Sequence, residues 1–416
     1  MNESEVKERA VLAREAVARF RTNGLGKRSA FYDHLTRLLD EKREDIQKAN
    51  SIDLEAARTA GLSPAMVDRL TLTDQRIDDL IQSVHEINAF PDPLGVHEGK
   101  RLENGLILDK VQVGIGVVGF IYESRPNVTI DAVALCLKSG NAVLLKGGKE
   151  AVHSNLILES LCRMALIEAD LPDGLVCLLD CTDRAVVGHL CQLEGLVDLI
   201  IPRGGPGLIK AVVEASKVPV IKHDAGNCHI YIDQSADLAT ALSIVENAKT
   251  QRPGVCNAAE SLVVDENIAD RFLPMLNETL EPKGVELRCC SRSMKALPSA
   301  TPANDEDWGT EYLDLTLSVK TVSGFEEAVQ HINRYSSGHT EAILTSDLKN
   351  SKAFEEQIDS AVVLVNASTR FSDGGQFGLG AEIGISTNRL HARGPMGAAS
   401  LTTYKYVVRG EGQVRI

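Results

Sequence analysis

The chain has 416 residues, a formal net charge of −14, 44% hydrophobic and 25% charged residues. That length exceeds one ordinary core, and that composition sets aside disordered, collagen-like and coiled-coil proteins. The acidic balance argues against nucleic acid or an anionic membrane as partner and leaves any anionic substrate to a local basic pocket. Nine cysteines, without a CxxC pair or a histidine at ligand spacing, disfavour disulfide and zinc frameworks, so no metal is expected.

The opening stretch "MNESEVKERAVLAREAVARF" mixes charges of both signs, unlike a signal peptide, and no run approaches the roughly 18 apolar residues of a membrane span. A cytoplasmic protein is expected. Ala10, Ala13, Val17 and Phe20, then Phe31, Leu35 and Leu38, recur at helical spacing. "FPDPLG" breaks that pattern, and "KRLENGLILDKVQVG" predicts a hairpin with Asn104-Gly105 at its turn.

From about residue 113 to 233, short apolar runs alternate with helical segments, the pattern of parallel strands joined by crossover helices. The literal GxGxxG at Gly114, Gly116 and Gly119 is set aside, because it lies within an apolar run instead of opening a helix. "IPRGGPGLIKAVVEAS" fits a phosphate-binding turn better: a strand, then Arg203, Gly204 and Gly205, then an amphipathic helix. A plain strand-to-helix connection fits equally well. In "AVLLKGGKEA", Lys146 and Lys149 follow a strand, where they suit either a solvated rim or a phosphate or ribose. Lys146, Asp180 and Arg203 all fall at carboxyl ends of predicted strands, where doubly wound sheets bind ligands.

A second set of strands, "ESLVVDE", "GVELRCC", "LTLSVKTV" and "EAILTSD", predicts a second α/β unit. Cys136, Cys162 and Cys191 read as small buried residues and Cys289–Cys290 as ordinary packing. Cys256, in "TQRPGVCNAAE", differs: it follows a proline-ended helix, lies between Gly254 and Asn257, and has Arg252 nearby. Such a loop thiol suits a nucleophile, although an inert loop cysteine fits the stretch too. After residue 361 a glycine-rich segment leads to one last strand, "LTTYKYVV".

Over nearly its whole length the chain resembles the aldehyde dehydrogenase superfamily, and within it most closely the branch that reduces an acyl phosphate in proline biosynthesis. The likeness is carried by "ESRPNVT", "LKSGNAVLLKGG", "PRGG", "GNCHIYID", "TQRPGVCNAAE", "WGTEYLDLTLSVKTV", "SSGHTEAI" and "LGAEIGISTNRLHARGPMG". It implies an aldehyde dehydrogenase-like α/β fold: a doubly wound NADP-binding domain (1–97 and 114–226, with 362–396 returning to it), a catalytic α/β domain (227–361) and a small β oligomerisation arm (98–113 and 397–416). It implies NADPH-dependent reduction of L-glutamyl 5-phosphate to L-glutamate 5-semialdehyde and phosphate, through a thioester on Cys256. Asn127 would supply an oxyanion hydrogen bond, Lys146 would meet the adenosine ribose, the Arg203–Gly205 turn would lie beside the dinucleotide, and Glu311 would hold the nicotinamide ribose. Lys149 is a candidate for the 2′-phosphate, and Arg125 and Arg252 for the anionic substrate groups. A CoA-acylating or hydrolytic semialdehyde dehydrogenase of the same superfamily is the alternative. The hydrolytic members' "ELGGK" glutamate has no counterpart in "HDAGNCH", where Asp224 is the nearest carboxylate. The implied partners are further copies of the chain, as a homodimer or higher homo-oligomer, and transiently a glutamate 5-kinase.

Overall fold

A computed structural model describes residues 1–222, 225–379 and 381–415. Asp224 lies outside the described residues. The chain divides into two units: Met1–Lys222 with Gly378–Gly384 and Met396–Ile416, and His223–Phe377 with Ile385–Pro395.

The first unit begins with helices α1 (Glu3–Arg19), α2 (Arg28–Glu41), α3 (Arg43–Thr59), α4 (Pro64–Leu70) and α5 (Asp74–Ala89). Three of these starts are set by side chains that satisfy free backbone N–H groups: Asn2 with Glu5 as a capping box on α1, Ser63 on α4 and Thr73 on α5. Ala10, Ala13, Val17, Phe20, Phe31, Leu35 and Leu38 are all buried, as their spacing predicts. The hairpin β1 (Gly95–Arg101) and β2 (Ile107–Gly114) turns at Asn104-Gly105, where Gly105 has a φ of 84°. The nucleotide-fold section follows as β3 (Val117–Tyr122), α6 (Asn127–Lys138), β4 (Ala142–Lys146), α7 (Val152–Glu168), β5 (Val176–Leu178), α8 (Ala185–Cys191), β6 (Leu199–Arg203) and α9 (Pro206–Ala215). These four strands form a parallel sheet in the order β5-β4-β3-β6. Every residue of β3 and β4 is buried, as expected of strands covered on both faces. The order reverses between β3 and β6, which makes the ends of those strands the ligand crevice of this topology. Gly119 lies inside β3, so the GxGxxG pattern marks a strand and no phosphate loop. After α9, Val220 meets this sheet in an isolated parallel bridge with Ile200.

The second unit contains β7 (Cys228–Ile232), α10 (Leu238–Thr250), β8 (Ala259–Asp265), α11 (Glu266–Leu280), β9 (Glu286–Cys289), β10 (Thr301–Pro302), β11 (Thr316–Val322), α12 (Phe325–Tyr335), β12 (Thr340–Leu344), α13 (Leu348–Gln357) and β13 (Val362–Val365). Its seven strands are parallel, in the order β10-β9-β11-β8-β7-β12-β13. One face packs Phe272, Leu276, Val245 and their neighbours, and the other packs Ile332 and Phe354. A short antiparallel pair, β14 (Ile385–Ser386) and β15 (Gly394–Pro395), also lies in this unit.

This division corrects the predicted return of residues 362–396 to the first domain. The apolar run of β13 pairs with β12 at the edge of the second sheet, and of that span only Gly378–Gly384 and Met396 belong with the first unit. The last strand, β16 (Thr402–Arg409), pairs antiparallel with β2 over its whole length, giving a three-stranded sheet β1-β2-β16. No helix among the described residues is long and apolar enough to cross a membrane.

Candidate active site

In the first unit the candidate residues collect at the carboxyl ends of β3, β4 and β6. Lys146 is the last residue of β4, buried, with Nζ donating to the Gly147 carbonyl at 2.7 Å. Burial lowers its pKa, with nearby acidic groups opposing. Beyond it lies a shallow open depression, floored by Gly147 and Gly148 and walled by Val152, Leu178 and Leu179 together with the polar Asn155, Asp180 and Cys181. A Cβ on Gly147 would collide with the Asn155 amide, so only glycine leaves that space. Close backbone approach at the two glycines, apolar side chains to pack on a flat base and polar groups within reach of a ribose fit the adenosine half of a dinucleotide, with Lys146 preceding the glycines at the end of β4. Lys149 is exposed at the rim. Glu150 folds inward, accepting the Ser124 N–H at 2.5 Å and its hydroxyl at 2.9 Å. Ser124 itself has a φ of 46°, a costly conformation for a serine, held at the turn that leads to Arg125.

Arg203 ends β6, and Gly384 leaves room for its guanidinium, which a Cβ there would press. The turn that follows holds an anion of its own: Glu123 Oε2 accepts the Gly205 N–H at 3.0 Å, one residue before α9 begins. A carboxylate thus lies where the sequence suggests a phosphate could bind. Asn127 opens α6, and its Nδ2 donates to Asp131 Oδ2 at 3.1 Å. Ser83 donates to the other oxygen at 3.4 Å. Burial pushes the Asp131 carboxyl up to about 6, against the opposing effects of Asn127, Ser83 and Arg203. Arg125 is half-buried in the turn between β3 and α6.

In the second unit the candidates sit at the amino ends of neighbouring strands. The loops entering β7, β8 and β11 carry Gly226, Cys256 and Glu311, and those strands lie side by side. Pro253 and a run of turns separate α10 from β8, which leaves the Cys256 loop without a ladder of its own. Other groups hold it instead. Cys228 Sγ donates to the Cys256 carbonyl at 3.2 Å, and Asn257 Nδ2 donates to the Ser372 carbonyl at 2.8 Å. Gly226 lies so close to the Cys256 carbonyl that no Cβ could be added. Glu311 Oε1 accepts the Gly226 N–H at 2.8 Å, and burial raises the Glu311 pKa. Arg252 is exposed at the loop entrance.

Three features escape the sequence. Arg370 donates from Nε to Gln251 Oε1 at 2.7 Å and lies within electrostatic reach of Cys256 and Arg252; burial lowers its pKa. Two guanidinium groups near one another at the entrance to a loop can hold an anionic substrate. His339 is buried at the entry to β12, with Nδ1 2.8 Å from the Thr340 hydroxyl and 3.6 Å from Cys228 Sγ. Lys249 and Glu260 form a buried ion pair at the foot of the Cys256 loop. Their only sequence signal is position: Arg370 in the tail, the pair on either side of the thiol.

Two α/β units, one with a nucleotide-type crevice and one with a loop thiol, define an enzyme of the aldehyde dehydrogenase class. The sequence profile of the aldehyde dehydrogenase family matches residues 1–286 and 315–385. The chain is 52% identical to the γ-glutamyl phosphate reductase of Carboxydothermus hydrogenoformans, with 92% of each chain covered. It is 48% identical to that of Thermoanaerobacter sp., over 99% of this chain and all of that one. The crystal structure of the Thermotoga maritima γ-glutamyl phosphate reductase superposes with a TM-score of 0.97 at 48% identity, covering 99% of this chain and 100% of that one. An acetylating aldehyde dehydrogenase from Geobacillus thermoglucosidasius shares the fold, with a TM-score of 0.73 at 17% identity, covering 100% of this chain and 98% of that one. The chain therefore belongs to the aldehyde dehydrogenase family and, within it, to the γ-glutamyl phosphate reductases.

Proposed function

We propose that the protein reduces L-glutamyl 5-phosphate to L-glutamate 5-semialdehyde, with NADPH as reductant and Cys256 as nucleophile. The observation that carries this reading is a partly exposed thiol on a loop pinned by Gly226, Cys228 and Asn257, with Arg370 within electrostatic reach, in a chain kin to these reductases over nearly its whole length. The Cys256 thiolate attacks the acyl carbon, the bond from that carbon to the phosphate oxygen breaks, and phosphate leaves with the electron pair. A thioester remains. Bound NADPH supplies the hydride that takes the acyl carbon to the aldehyde level. Asn127 donates an N–H to the oxygen as negative charge develops on it. The resulting thiohemiacetal loses its C–S bond as its oxygen re-forms the carbonyl, and Cys256 is free again.

Lys146, with the Arg203, Gly204 and Gly205 turn, is assigned to the dinucleotide, and Glu311 to the nicotinamide ribose. Arg125, Arg252 and Arg370 are assigned to the anionic groups of the substrate. Lys149, exposed beside Lys146, is assigned to the 2′-phosphate, because a second cation neutralises that group's added charge. Replacing Lys149 by Ala is expected to lower kcat/KM for NADPH several-fold and leave that for NADH unchanged; an equal loss for both cofactors would remove the assignment. The reading as a whole is tested by following NADPH oxidation with freshly generated acyl phosphate, and by the reverse reaction with and without phosphate. Reverse turnover independent of phosphate, or dependent on CoA, would overturn it.

A further inference from the structure

Lys249 and Glu260 bracket the Cys256 loop. The first lies in the last turn of α10 and the second is the second residue of β8. Their side chains are fully buried, with Lys249 Nζ 2.6 Å from Glu260 Oε2. Nζ also donates to the Ala259 carbonyl at 2.9 Å, so the ammonium closes the loop onto its own exit strand. A buried ion pair is a poor source of stability, since two charges must be stripped of water and apolar residues often fill the same space as well. Its use lies in what its remaining acceptor holds.

That acceptor is Glu260 Oε1, which takes the backbone N–H of Leu313 at 3.2 Å. Leu313 has a φ of 53°, which a branched residue adopts only when its surroundings impose it, and it lies two positions after Glu311. Glu311 accepts the Gly226 N–H, and Gly226 packs directly against the Cys256 carbonyl. The contacts therefore close a ring: Lys249, Glu260, the Glu311–Leu313 segment, Gly226, and the Cys256 loop back to Lys249.

We propose that Lys249 and Glu260 are positioning residues, a clasp that locks the Cys256 loop to the segment bearing Glu311 and so holds the nucleophile and the ribose-binding carboxylate in one register. This rests on the roles given above to Cys256 and Glu311. Neither residue of the clasp touches substrate; both act through the groups they hold. Burial raises the Glu260 pKa, with Lys249 opposing.

The test uses the full-length protein as wild type, Glu260→Gln, Glu311→Ala, the double variant of those two, and the apolar swap Lys249→Met with Glu260→Leu. Three quantities are read: NADPH affinity by fluorescence titration, the iodoacetamide alkylation rate of Cys256 by peptide mass spectrometry in the cofactor-free protein, and Tm. Glu260→Gln is expected to weaken NADPH and change the Cys256 alkylation rate, each by about tenfold or more, the scale of effect that slight misplacement of a reacting group produces. The apolar swap is expected to melt at or above the wild-type temperature yet show the same two changes. In the Glu311→Ala background, Glu260→Gln should weaken NADPH little further, because both act along one path. The clasp is overturned if the two effects on NADPH affinity multiply, or if the apolar swap binds NADPH and is alkylated as the wild type is. Wild-type turnover of the acyl phosphate is measured first, and its absence would sink the functional reading instead. The alkylation rate without cofactor still tests the clasp in that case.

Discussion

Six of the nine cysteines are buried, and burial raises the pKa of each: Cys136, Cys162, Cys177, Cys191, Cys228 and Cys289. A thiol held in its neutral form is a poor nucleophile. Cys181, Cys256 and Cys290 are the partly exposed ones, and of these Cys256 lies within electrostatic reach of Arg370, in a loop fixed from several sides. Cys256→Ser is expected to lower turnover at least about a thousandfold, in keeping with loss of a covalent nucleophile, while NADPH affinity is unchanged. Cys181→Ala and Cys290→Ala should each retain turnover. Steady-state assays on the three variants check this, and near-normal activity in Cys256→Ser would end the thioester mechanism. Asp131 yields a second residue-scale prediction. Its carboxyl rises from the ordinary 3.8 to about 6, chiefly through burial, so the folded chain holds this proton more tightly than the unfolded chain does. The contribution to stability is complete below about pH 4 and is lost as pH rises through about 6. Asp131→Asn removes the buried charge and keeps an acceptor for the Asn127 N–H. Its Tm is expected to exceed the wild-type value by a few degrees at pH 8 and to match it near pH 4. Thermal melts at the two pH values decide it, and an equal shift at both would contradict the assignment.

At the scale of elements, the start of α9 carries the next prediction. Glu123 satisfies the Gly205 N–H and places a negative charge at a helix N-terminus, where it stabilises by about 0.3–1 kcal/mol. A dinucleotide phosphate seeking the same turn meets that carboxylate, so Glu123→Gln should bind NADPH more tightly and melt slightly lower. Fluorescence titration and melting measure the two, and weaker NADPH binding in the variant would show that the phosphates lie elsewhere. Glu123 also illustrates what the sequence could show and what it could not. The strand "VDLII", the glycines and the amphipathic helix were legible because each leaves a local pattern. A carboxylate 82 residues earlier in the chain that folds onto Gly205 leaves none. The parallel strands of the first sheet were legible because β3 and β4, buried on both faces, read as unbroken apolar runs. β13 reads the same way, yet an apolar run does not name its partner, and it pairs in the second sheet. The rule that ligands meet the carboxyl ends of strands located Lys146 and Arg203. In the second unit Cys256 and Glu311 lie at amino ends, where that rule does not reach: the loop itself pointed to Cys256, and family resemblance added Glu311. Lys249 and Glu260 leave no local pattern that announces their complete burial.

At the scale of the whole molecule, the sheet β1-β2-β16 stands apart from both large sheets in its pairing. Tyr404, Tyr406 and Val408 alternate along β16, so they share one face, and each is more than half exposed. Lys110 covers the Tyr404 ring from 4.6 Å, which softens that face without hiding it. A three-stranded sheet with exposed aromatic residues and an outer edge on β16 is an expensive surface to leave in water, and further copies of the chain are its proposed cover. The net charge of −14 opposes that association at long range, so the contact must be apolar and local. Light scattering coupled to size exclusion is expected to find at least a dimer. Truncation after Gly397 removes β16 and leaves β2 with an unpaired edge along the whole length that β16 had covered. That variant is expected to aggregate or to elute with lower mass. Because aggregation alone could reflect misfolding, Tyr406→Glu in the intact chain is the companion variant: the strand keeps its ladder, while a charge enters the shared face. It should elute as a smaller species with an unchanged circular dichroism spectrum. A monomeric wild type, or a Tyr406→Glu variant of unaltered mass together with a soluble, active truncation, would show that the sheet does not join subunits.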